Sequence, residues 1–421
     1  MTKFEVSRSF AEEMDSKDPL KKFRERFYIP KLKNGDDGIY LCGNSLGLQP
    51  KSIRTHLEQE LKDWENLAVE GHFHAKRPWM PYHEFLTEKT ARLVGAKPIE
   101  VVNMNSLTVN LHLMMVSFYR PTATRYKVLM EHTAFPSDQY AVQSQIAFHH
   151  FDAKDAILEV VPRTGEDVIR TEDIEGLIEK EGKNIALILM GGINYYSGQA
   201  YDMERITKAG HAQGCAVGFD LAHAAGNLVL KLHEWDVDFA VWCSYKYLNS
   251  GPGSIAGCFV HERHARKSDR PRFAGWWGHD KKTRFIMGPD FIPIEGAEGW
   301  QLSNPPILSM AAVNASLEIF DEAGMENIRA KGDLLTGYLE SIIREIAGTS
   351  ITIITPTDRN QRGNQLSLRI HGNGKKFHQK LTDSGVFCDW REPDVVRVAP
   401  APLYNSFMDV YRFSEILREA I

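Results

Sequence analysis

Short apolar runs alternate with amphipathic segments from about residue 95 to residue 265, and this alternation limits the possible folds more than any other feature of the chain. Helix-like segments such as Asp202–Gln213, which begins with an acidic residue and is followed by Gly214, separate several of the runs. This order is typical of an α/β fold, in which helices flank a mostly parallel sheet and ligands bind beyond the carboxyl ends of the strands. The predicted strands are Tyr126–Met130, Ile185–Met190, Cys215–Phe219, Val237–Cys243 and Ile255–Val260.

The chain after residue 306 has a different pattern, which predicts a smaller α+β domain. A long helical pattern, Ile307–Ala323, follows two prolines, and an amphipathic helix begins near Asn405. The first 50 residues lack an apolar core of their own, so we expect them to pack on this smaller domain. We therefore predict an N-terminal segment (1–50), a large domain (51–306) and a small domain (307–421). The small domain is also predicted to contain a helix over Lys331–Ile346 and strands over Ile351–Ile354 and Gln365–Ile370.

The composition is that of an ordinary soluble globular protein. Of 421 residues, 43% are hydrophobic and 25% are charged, with 50 Lys and Arg against 55 Asp and Glu. These values exclude disordered and collagen-like chains, and without a basic run we expect no nucleic-acid partner. The N-terminus has mixed charges and no apolar core, so we expect no secretory signal.

Neither a membrane span nor a disulfide framework is expected. Asn, Gly, Pro and His residues interrupt the long uncharged stretches, which we interpret as buried elements of the core. The five cysteines are odd in number and form no C-x-x-C motif, so we also predict no metal site. These features favour a cytoplasmic protein. The uncharged stretches are Val101–Tyr119, Asn184–Tyr201 and Trp300–Leu317.

Lys246 comes directly after the predicted strand Val237–Cys243 and is followed by a turn rich in Gly and Pro. A lysine at this position can form a Schiff base with an aldehyde cofactor when a dry pocket or a nearby cation lowers its pKa. Taken alone, the pattern also fits a solvated loop lysine, which is the commoner case.

Asp220 ends the predicted strand Cys215–Phe219, and His223 follows three residues later. Pyridoxal phosphate needs a carboxylate beside its pyridine nitrogen, and the 26 residues between Asp220 and Lys246 suit adjacent strands joined by a crossover. Alternatively, Asp220 caps a following helix and His223 is a hydrogen-bonded core histidine.

Two further strand ends carry groups that the same cofactor needs. Ser106 precedes a helical pattern that runs to Phe118, and a helix N-terminus there would suit a phosphate monoester, although Ser106 could be a simple N-cap. The segment Phe135–Asp138 follows the strand Tyr126–Met130 and could place an aromatic face over a flat ring, or could simply begin a helix with Pro136. The joint occurrence of four such strand ends favours a pyridoxal phosphate site over chance.

A competing motif, Gly251–Ala256, matches the dinucleotide pattern G-x-G-x-x-G/A. It leads into a strand-like stretch and does not open a helix, so it lacks the helix N-terminus at which a dinucleotide motif binds phosphate, and we reject the match.

Six segments carry the pattern of one known family: Gly43–Pro50, Phe135–Asp138, Val217–His223, Cys243–Asn249, Ser303–Pro306 and Arg397–Tyr404. On these segments the sequence resembles the kynureninase family, and the resemblance covers essentially the whole chain. The family consists of fold-type I enzymes that depend on pyridoxal 5'-phosphate and hydrolyse kynurenine or 3-hydroxykynurenine to L-alanine and anthranilate or 3-hydroxyanthranilate. The resemblance therefore implies a role in tryptophan catabolism and NAD biosynthesis, and a homodimer with active sites at the subunit interface.

The resemblance also implies roles for individual residues. Lys246 would be the Schiff-base lysine, Asp220 would lie with Asp138 at the pyridine nitrogen, and Tyr245 would belong to the cofactor-binding set. Tyr245 is also our candidate for proton transfer at the leaving carbon and carbonyl, because a phenol held near the phosphate has suitable geometry and a tunable pKa. Gly191 departs from members that have Ser there, so this position stays unassigned. The remaining cofactor-binding set is Leu107 and Thr108 at the phosphate, Phe135 stacked on the ring, Pro136 and Ser137 in the same segment, His223 beside the ring, and Trp276 and Asn304.

Substrate contacts are implied in the same way. Arg397 would bind the substrate α-carboxylate, where a planar guanidinium matches two oxygens, although most arginines form surface ion pairs. His72, Ser303 and Asn304 would line the aromatic end of the pocket and favour 3-hydroxykynurenine over kynurenine, unless His72 is a solvated loop residue. A cysteine desulfurase or aminotransferase of the same fold, and a non-catalytic cofactor-binding regulator, remain as alternatives.

Overall fold

A large sheet of seven strands and a small sheet of four organise the chain, and a third sheet consists of one pair of short strands. The computed structural model describes residues 4–267 and 269–421. In chain order the strands are β1 Ile39–Tyr40, β2 Val101–Asn103, β3 Lys127–Glu131, β4 Ile157–Val160, β5 Ile185–Gly191, β6 Ala216–Asp220, β7 Phe239–Trp242, β8 Gly257–Val260, β9 Ile351–Ile353, β10 Leu366–Ile370, β11 Val386–Phe387, β12 Asp389–Arg391 and β13 Val395–Val398.

The helices lie on both faces of the large sheet and on the small sheet. Several short 3-10 helices connect them, including Trp276–Gly278 and Ala297–Trp300. The α-helices are α1 Arg8–Lys17, α2 Ser52–Leu67, α3 Gly71–His74, α4 Glu84–Val94, α5 Leu107–Phe118, α6 Pro136–Phe148, α7 Ala153–Ala156, α8 Thr171–Glu181, α9 Met203–Ala212, α10 Glu262–Ala265, α11 Ile307–Ala323, α12 Met325–Ile346, α13 Gly374–Asp383 and α14 Phe407–Ala420.

The large sheet has seven strands in the order β2-β8-β7-β6-β5-β3-β4. The five strands from β7 to β4 are parallel, whereas β8 runs antiparallel to both of its neighbours, β7 and the edge strand β2. Parallel strands are covered on both faces, which explains why β5 is almost continuously apolar and buried. The predicted α/β class and mostly parallel sheet are confirmed, and each of the five predicted strands overlaps a strand of this sheet.

The small sheet has the antiparallel order β12-β13-β10-β9, and it shares a core with α12 and α14. The N-terminal segment contacts both cores. Its β1 pairs with β11, and Ala11 of α1 lies in the core of the small sheet. Phe23 and Phe27 instead belong to the core of the large sheet.

Helix α11 also joins the two parts, because its buried residues, including Met310 and Phe320, lie in the core of the large sheet. Within the described residues, none of the helices combines the length and the apolar character that crossing a bilayer requires.

Candidate active site

A cavity lies at the carboxyl ends of β5, β6 and β7, which is where the parallel-sheet rule predicts a ligand site. The strands β6 and β7 are parallel neighbours, so their ends bring Asp220 and the segment around Lys246 to the same edge. The turn-rich connection between them, residues 221–238, contains no helix, so Asp220 does not cap one. The cavity is lined by Leu107, Thr108, Glu131, Phe135, Ser137, Asp138, Gly191, Ile193, Tyr195, Asp220, Ala222, His223, Tyr245 and Lys246.

Three carboxyl groups form the floor of the cavity: Asp138, Asp220 and Glu131, all buried. Burial raises the pKa of Asp138 well above its usual range, and the neighbouring Asp220 and Glu131 raise it further. Burial likewise raises the pKa of Asp220, whose Oδ1 accepts a hydrogen bond from the Ala222 amide at 2.7 Å. Asp138 Oδ1 is buried without a hydrogen-bond partner. These carboxyl groups therefore keep their protons to a higher pH than exposed ones do. A cationic nitrogen placed against them would stabilise their ionised forms and would be stabilised in return.

Lys246 and His223 lie above this floor. Lys246 Nζ is 3.2 Å from His223 Nε2 and 5.7 Å from the centre of the Phe135 ring. Burial lowers the pKa of His223 well below its usual range, and the positive charge of Lys246 lowers it further. The imidazole is thus neutral, and its Nδ1 is buried without a partner, so His223 is not a fully hydrogen-bonded core histidine.

The N-terminus of α5 faces one end of the cavity with Leu107 and Thr108. Ser106 is at the N-cap position, but its side chain accepts no hydrogen bond from the helix, and the first turn contains no acidic residue. Thr108 Oγ1 lies 2.9 Å from Ser137 Oγ, in the first turn of α6. Free amide groups, two hydroxyls and the positive end of a helix dipole suit a phosphate monoester.

These groups fit pyridoxal 5'-phosphate. Phe135 is 45% exposed and offers one face of its ring to a flat cofactor ring. Pro136 begins α6, so the simpler interpretation of this segment as a helix start is also correct. The unpartnered oxygen of Asp138 and the unpartnered nitrogen of His223 are buried polar atoms that a bound group would satisfy. Lys246 supplies the amine for a Schiff base.

Tyr245 is half-buried beside Lys246, with its ring centre 6.0 Å from the lysine Nζ. Burial raises the pKa of its phenol, and Cys243 and Asp220 add to that effect. The hydroxyl is therefore protonated at neutral pH and can donate a proton.

The strand-like run Asp394–Val396 predicts that Arg397 comes just after a strand, but Arg397 lies inside strand β13. It is buried, and its Nε donates to Asp389 Oδ1 at 2.7 Å while its Nη2 donates to Asp389 Oδ2. Its Nη1 donates to the carbonyl oxygen of Tyr195 at 2.8 Å, and Tyr195 lines the cavity. The guanidinium thus adjoins the cavity, but part of its donor set is already used by Asp389.

Six predicted residues do not line this cavity of the same chain: His72, Pro136, Trp276, Ser303, Asn304 and Arg397. The Trp276 indole is 39% exposed, and its N–H donates to the carbonyl of Arg284. Ser303 and Asn304 are exposed. His72 is in the short helix α3, where its Nδ1 lies 2.9 Å from the carbonyl oxygen of Val69 and its ring packs edge-on against a tryptophan.

Sequence reasoning missed four residues that line the cavity: Glu131, Ile193, Tyr195 and Ala222. Glu131 ends β3 in the way that Asp220 ends β6, so the rule of polar residues at strand ends could have found it. Tyr195 contributes its backbone carbonyl to Arg397, and its ring packs edge-on against Phe135 at 5.2 Å. A backbone contact leaves no mark in the sequence.

Comparison with known proteins gives one consistent family. A family model described as the kynureninase C-terminal domain matches residues 328–417. The chain is 63% identical over 410 residues to a kynureninase of Koribacter versatilis, covering 97% of each chain. It is 59% identical to the kynureninase of Myxococcus xanthus, covering 98% of this chain and 97% of the relative. With the kynureninase of Nematostella vectensis it shares 52% identity, covering 99% of this chain and 94% of the relative.

Solved structures share the fold at low sequence identity. The cysteine desulfurase CsdA of Escherichia coli superposes with a TM-score of 0.77 at 15% identity, covering 95% of this chain and 98% of that one. An apo cysteine desulfurase from Thermococcus onnurineus gives a TM-score of 0.74 at 16% identity, covering 100% and 98%. At this identity the likeness establishes the fold, which is that of fold-type I enzymes.

Proposed function

The chain belongs to the kynureninase family, and we propose that the cavity around Lys246 is where it cleaves the Cβ–Cγ bond of its substrate. It is a hydrolase acting on C–C bonds in ketonic substances, with pyridoxal 5'-phosphate as cofactor and L-kynurenine or 3-hydroxy-L-kynurenine as substrate. The products are L-alanine and anthranilate or 3-hydroxyanthranilate. The observation that carries the site assignment is the convergence of Lys246, His223 and the buried carboxyls Asp138 and Asp220 in one cavity.

Each element of the cavity would hold a different part of the cofactor. The α5 N-terminus with Thr108 and Ser137 would bind the phosphate, and Phe135 would cover the ring. Asp220 and Asp138 would keep the pyridine nitrogen protonated. Bound there, the cofactor supplies an electron sink for bonds broken at the substrate.

The protein's own groups then handle protons and water. Lys246 is the base positioned to take the substrate Cα proton, and the neutral His223 lies with its Nε2 3.2 Å from the lysine Nζ. Water would add to the γ-carbonyl and give a gem-diol. Loss of a hydroxyl proton from this gem-diol to solvent water would break the Cβ–Cγ bond, release the aromatic acid and leave the electron pair of the bond on Cβ, for which the bound cofactor would be the sink. Tyr245 gives a proton to the leaving carbon, since its phenol is protonated at neutral pH.

Arg397 would bind the substrate α-carboxylate. Asp389 covers its Nε–Nη2 edge, so the substrate would meet the Nη1–Nη2 end of the guanidinium. Replacing Arg397 with Lys keeps the charge and removes the planar fork, so we expect KM to rise strongly with a smaller change in kcat. An unchanged KM in Arg397→Lys would remove Arg397 from the substrate site.

A homodimer would complete the site. Phe273, Phe285 and Ile286 are exposed apolar side chains near Trp276, and grouped exposed apolar side chains are typical of an interaction surface. In a dimer, the partner subunit would bring its copies of His72, Trp276, Ser303 and Asn304 to the cavity. We also propose a reducing, cytoplasmic location, because the cysteines of the described residues are all unpaired.

The division into an N-terminal segment (1–50), a large domain (51–306) and a small domain (307–421) stays a proposal. The packing of α11 on the large sheet supports moving the second boundary to the end of that helix.

A cysteine desulfurase of the same fold is not favoured. Such an enzyme needs an accessible, reactive thiolate, and no cysteine lines the cavity within the described residues. Burial raises the pKa of Cys388 and Cys258, which makes both thiols poor nucleophiles.

Substrate preference tests this proposal directly. Asn304 can both donate and accept, so it suits the ring hydroxyl of 3-hydroxykynurenine. We expect kcat/KM for 3-hydroxykynurenine to exceed that for kynurenine, and one buried hydrogen bond corresponds to roughly 5- to 150-fold. The measurement is the release of alanine and of the fluorescent anthranilates from both substrates. Equal or reversed values, or an Asn304→Thr variant with an unmoved preference, would contradict the assignment. Absence of alanine release from either substrate would contradict the proposed cleavage itself.

A further inference from the structure

Two charged side chains of strand β12, Asp389 and Arg391, accompany the buried Arg397. Strand β12 pairs antiparallel with β13, and Asp389 lies directly opposite Arg397 in the register. Arg391 is two residues further along β12, so it projects from the same face of the sheet as Asp389. Arg391 Nη2 lies 3.1 Å from Asp389 Oδ2, the oxygen that also accepts from Arg397.

The charges of this cluster do not balance: two guanidinium groups share one carboxylate. Arg397 and Asp389 form a bidentate pair, which is nearly neutral when viewed from the cavity. A substrate carboxylate that met this pair alone would gain little from Arg397 and would be repelled by Asp389. The surplus positive charge of the cluster is that of Arg391.

Arg391 has donors left for a ligand. Its side chain is 36% exposed, and its Nε is buried without a hydrogen-bond partner. Its other contact is a weak one of 3.3 Å from Nη1 to the carbonyl of Trp390. A buried N–H of a guanidinium that has no acceptor lowers the stability of the fold, and a bound acceptor would remove that cost.

We propose that Arg391 is a second guanidinium for the substrate α-carboxylate and that Asp389 is a positioning residue that fixes the orientation of Arg397. This inference rests on the proposed role of Arg397. Asp389 occupies the Nε–Nη2 edge and so directs the remaining N–H groups of Arg397 toward the carboxylate. Arg391 restores the net positive charge that an amino-acid carboxylate requires.

The test compares Arg391→Gln, Arg391→Lys, Asp389→Asn and Arg397→Lys in the holoenzyme. The measurements are kcat, KM and the inhibition constants of the two products. For Arg391→Gln we expect KM for kynurenine and Ki for L-alanine to rise roughly 10- to 100-fold, the value of a hydrogen bond to a charged group. Ki for anthranilate, which lacks the α-carboxylate, should stay within about twofold. Arg391→Lys should recover part of the loss, because it keeps the charge.

For Asp389→Asn we expect the same pattern of constants, since the amide cannot pair with both arginines. A matched control is Arg369→Gln, which removes an arginine of the neighbouring strand β10 that is ion-paired with Asp167. It should leave all constants unchanged. The visible spectrum of the bound cofactor, intact in each variant, shows that the fold has survived.

The outcomes separate the two proposals. If Arg397→Lys raises KM and the alanine Ki while both Arg391→Gln and Asp389→Asn leave them unchanged, Arg391 and Asp389 have no such role and the Arg397 assignment stands. If Arg397→Lys changes nothing either, the proposed α-carboxylate site itself is wrong. A parallel rise in the anthranilate Ki would show general damage to the pocket and would also overturn the inference.

Discussion

Glu131 is a buried acid that lacks a cationic partner among the described residues. Both of its carboxyl oxygens lie 3.2 Å from the Gly191 amide nitrogen, which donates to them. Burial raises its pKa to about 7, with a further contribution from the charge of Asp220. A Cβ atom at Gly191 would lie only 3.0 Å from Glu131 Oε1, so a Ser at this position requires the carboxyl group to shift. The absence of a side chain at Gly191 therefore leaves room for the Glu131 carboxyl group in its observed position.

Glu131 should make the stability of the cofactor-free protein depend on pH. Its folded pKa of about 7 exceeds the ordinary 4.5, so the stability it contributes is fully present below pH 4.5 and is lost as pH rises through 7. Relative to wild type, Glu131→Gln should gain about 2–3 kcal/mol between pH 5 and pH 8, measured by urea unfolding. Glu179→Gln, at an exposed position on α8, is the control and should show no such gain. A pH-independent difference for Glu131→Gln would contradict the assignment.

Lys246→Ala tests the covalent attachment. We expect loss of turnover and of the visible absorbance band of the lysine-linked cofactor, because no other amine lines the cavity in the described part of the chain. Lys208→Ala, at an exposed site on α9, should behave as wild type. If Lys246→Ala still gives a protein-linked adduct after borohydride reduction, the lysine has been wrongly assigned.

Single residues were predictable from the sequence where one rule applied: a polar group directly after a buried strand. Asp220 and Lys246 follow that rule, and the structure places both at one cavity. The partnership of Arg397 with Asp389 was not predictable, because it depends on the register between β12 and β13. Short edge strands carry no distinctive pattern from which that register could be read.

At the level of secondary-structure elements, Asp238 joins a strand to two helices at the edge of the sheet opposite the cavity. Its Oδ2 accepts from the Val217 amide at the start of β6 and lies 2.9 Å from His211 of α9. Its Oδ1 accepts from Arg263 of α10 at 2.6 Å and also contacts His264. Burial alone would raise its pKa, but the hydrogen bonds from His211 and His264 outweigh that effect and lower it to about 2.

Asp238→Asn should therefore destabilise the protein in a pH-dependent way. Because the folded pKa is depressed, the stability from Asp238 is present above its ordinary pKa of 3.8 and is lost as pH falls through about 2. At pH 7 we expect a loss of about 3–5 kcal/mol, the cost of breaking a buried ion pair, with cofactor affinity little changed. Thermal unfolding and cofactor titration measure the two quantities. If the stability of Asp238→Asn at pH 7 equals that of wild type within error, the contacts of Asp238 do not stabilise the packing of the strand and the two helices.

The elements themselves were mostly predictable from hydrophobic periodicity. The predicted helix over Ile307–Ala323 has the bounds of α11. The prediction omitted strand β4, because it lies at the sheet edge, is only partly buried and includes Glu159, so its apolar run is interrupted. Its identity as a strand comes from pairing with β3, which is a tertiary contact.

At the scale of the whole molecule, one surface remains unexplained by a single chain. Phe273, Phe285 and Ile286 are mostly exposed near Trp276, with Ile286 at 73%. Exposed apolar side chains in this number mark an interaction surface. The same region carries Ser303 and Asn304, which the family resemblance places in the active site. The sequence could not assign these residues to a subunit, because a homodimer presents two copies of every residue.

Subunit mixing tests whether the active sites are shared. Lys246→Ala and Asn304→Ala homodimers are each measured alone, then mixed in equal amounts, unfolded and refolded together. If Asn304 acts across the interface, each mixed dimer contains one site with both residues intact, since the two substitutions fall together in the other site. Random pairing makes half of the dimers mixed, so activity should recover to about a quarter of wild type. Wild-type protein taken through the same refolding is the control for yield. Activity equal to the average of the two separate variants would show that Lys246 and Asn304 serve the same chain or do not meet, and the shared-site proposal would fail.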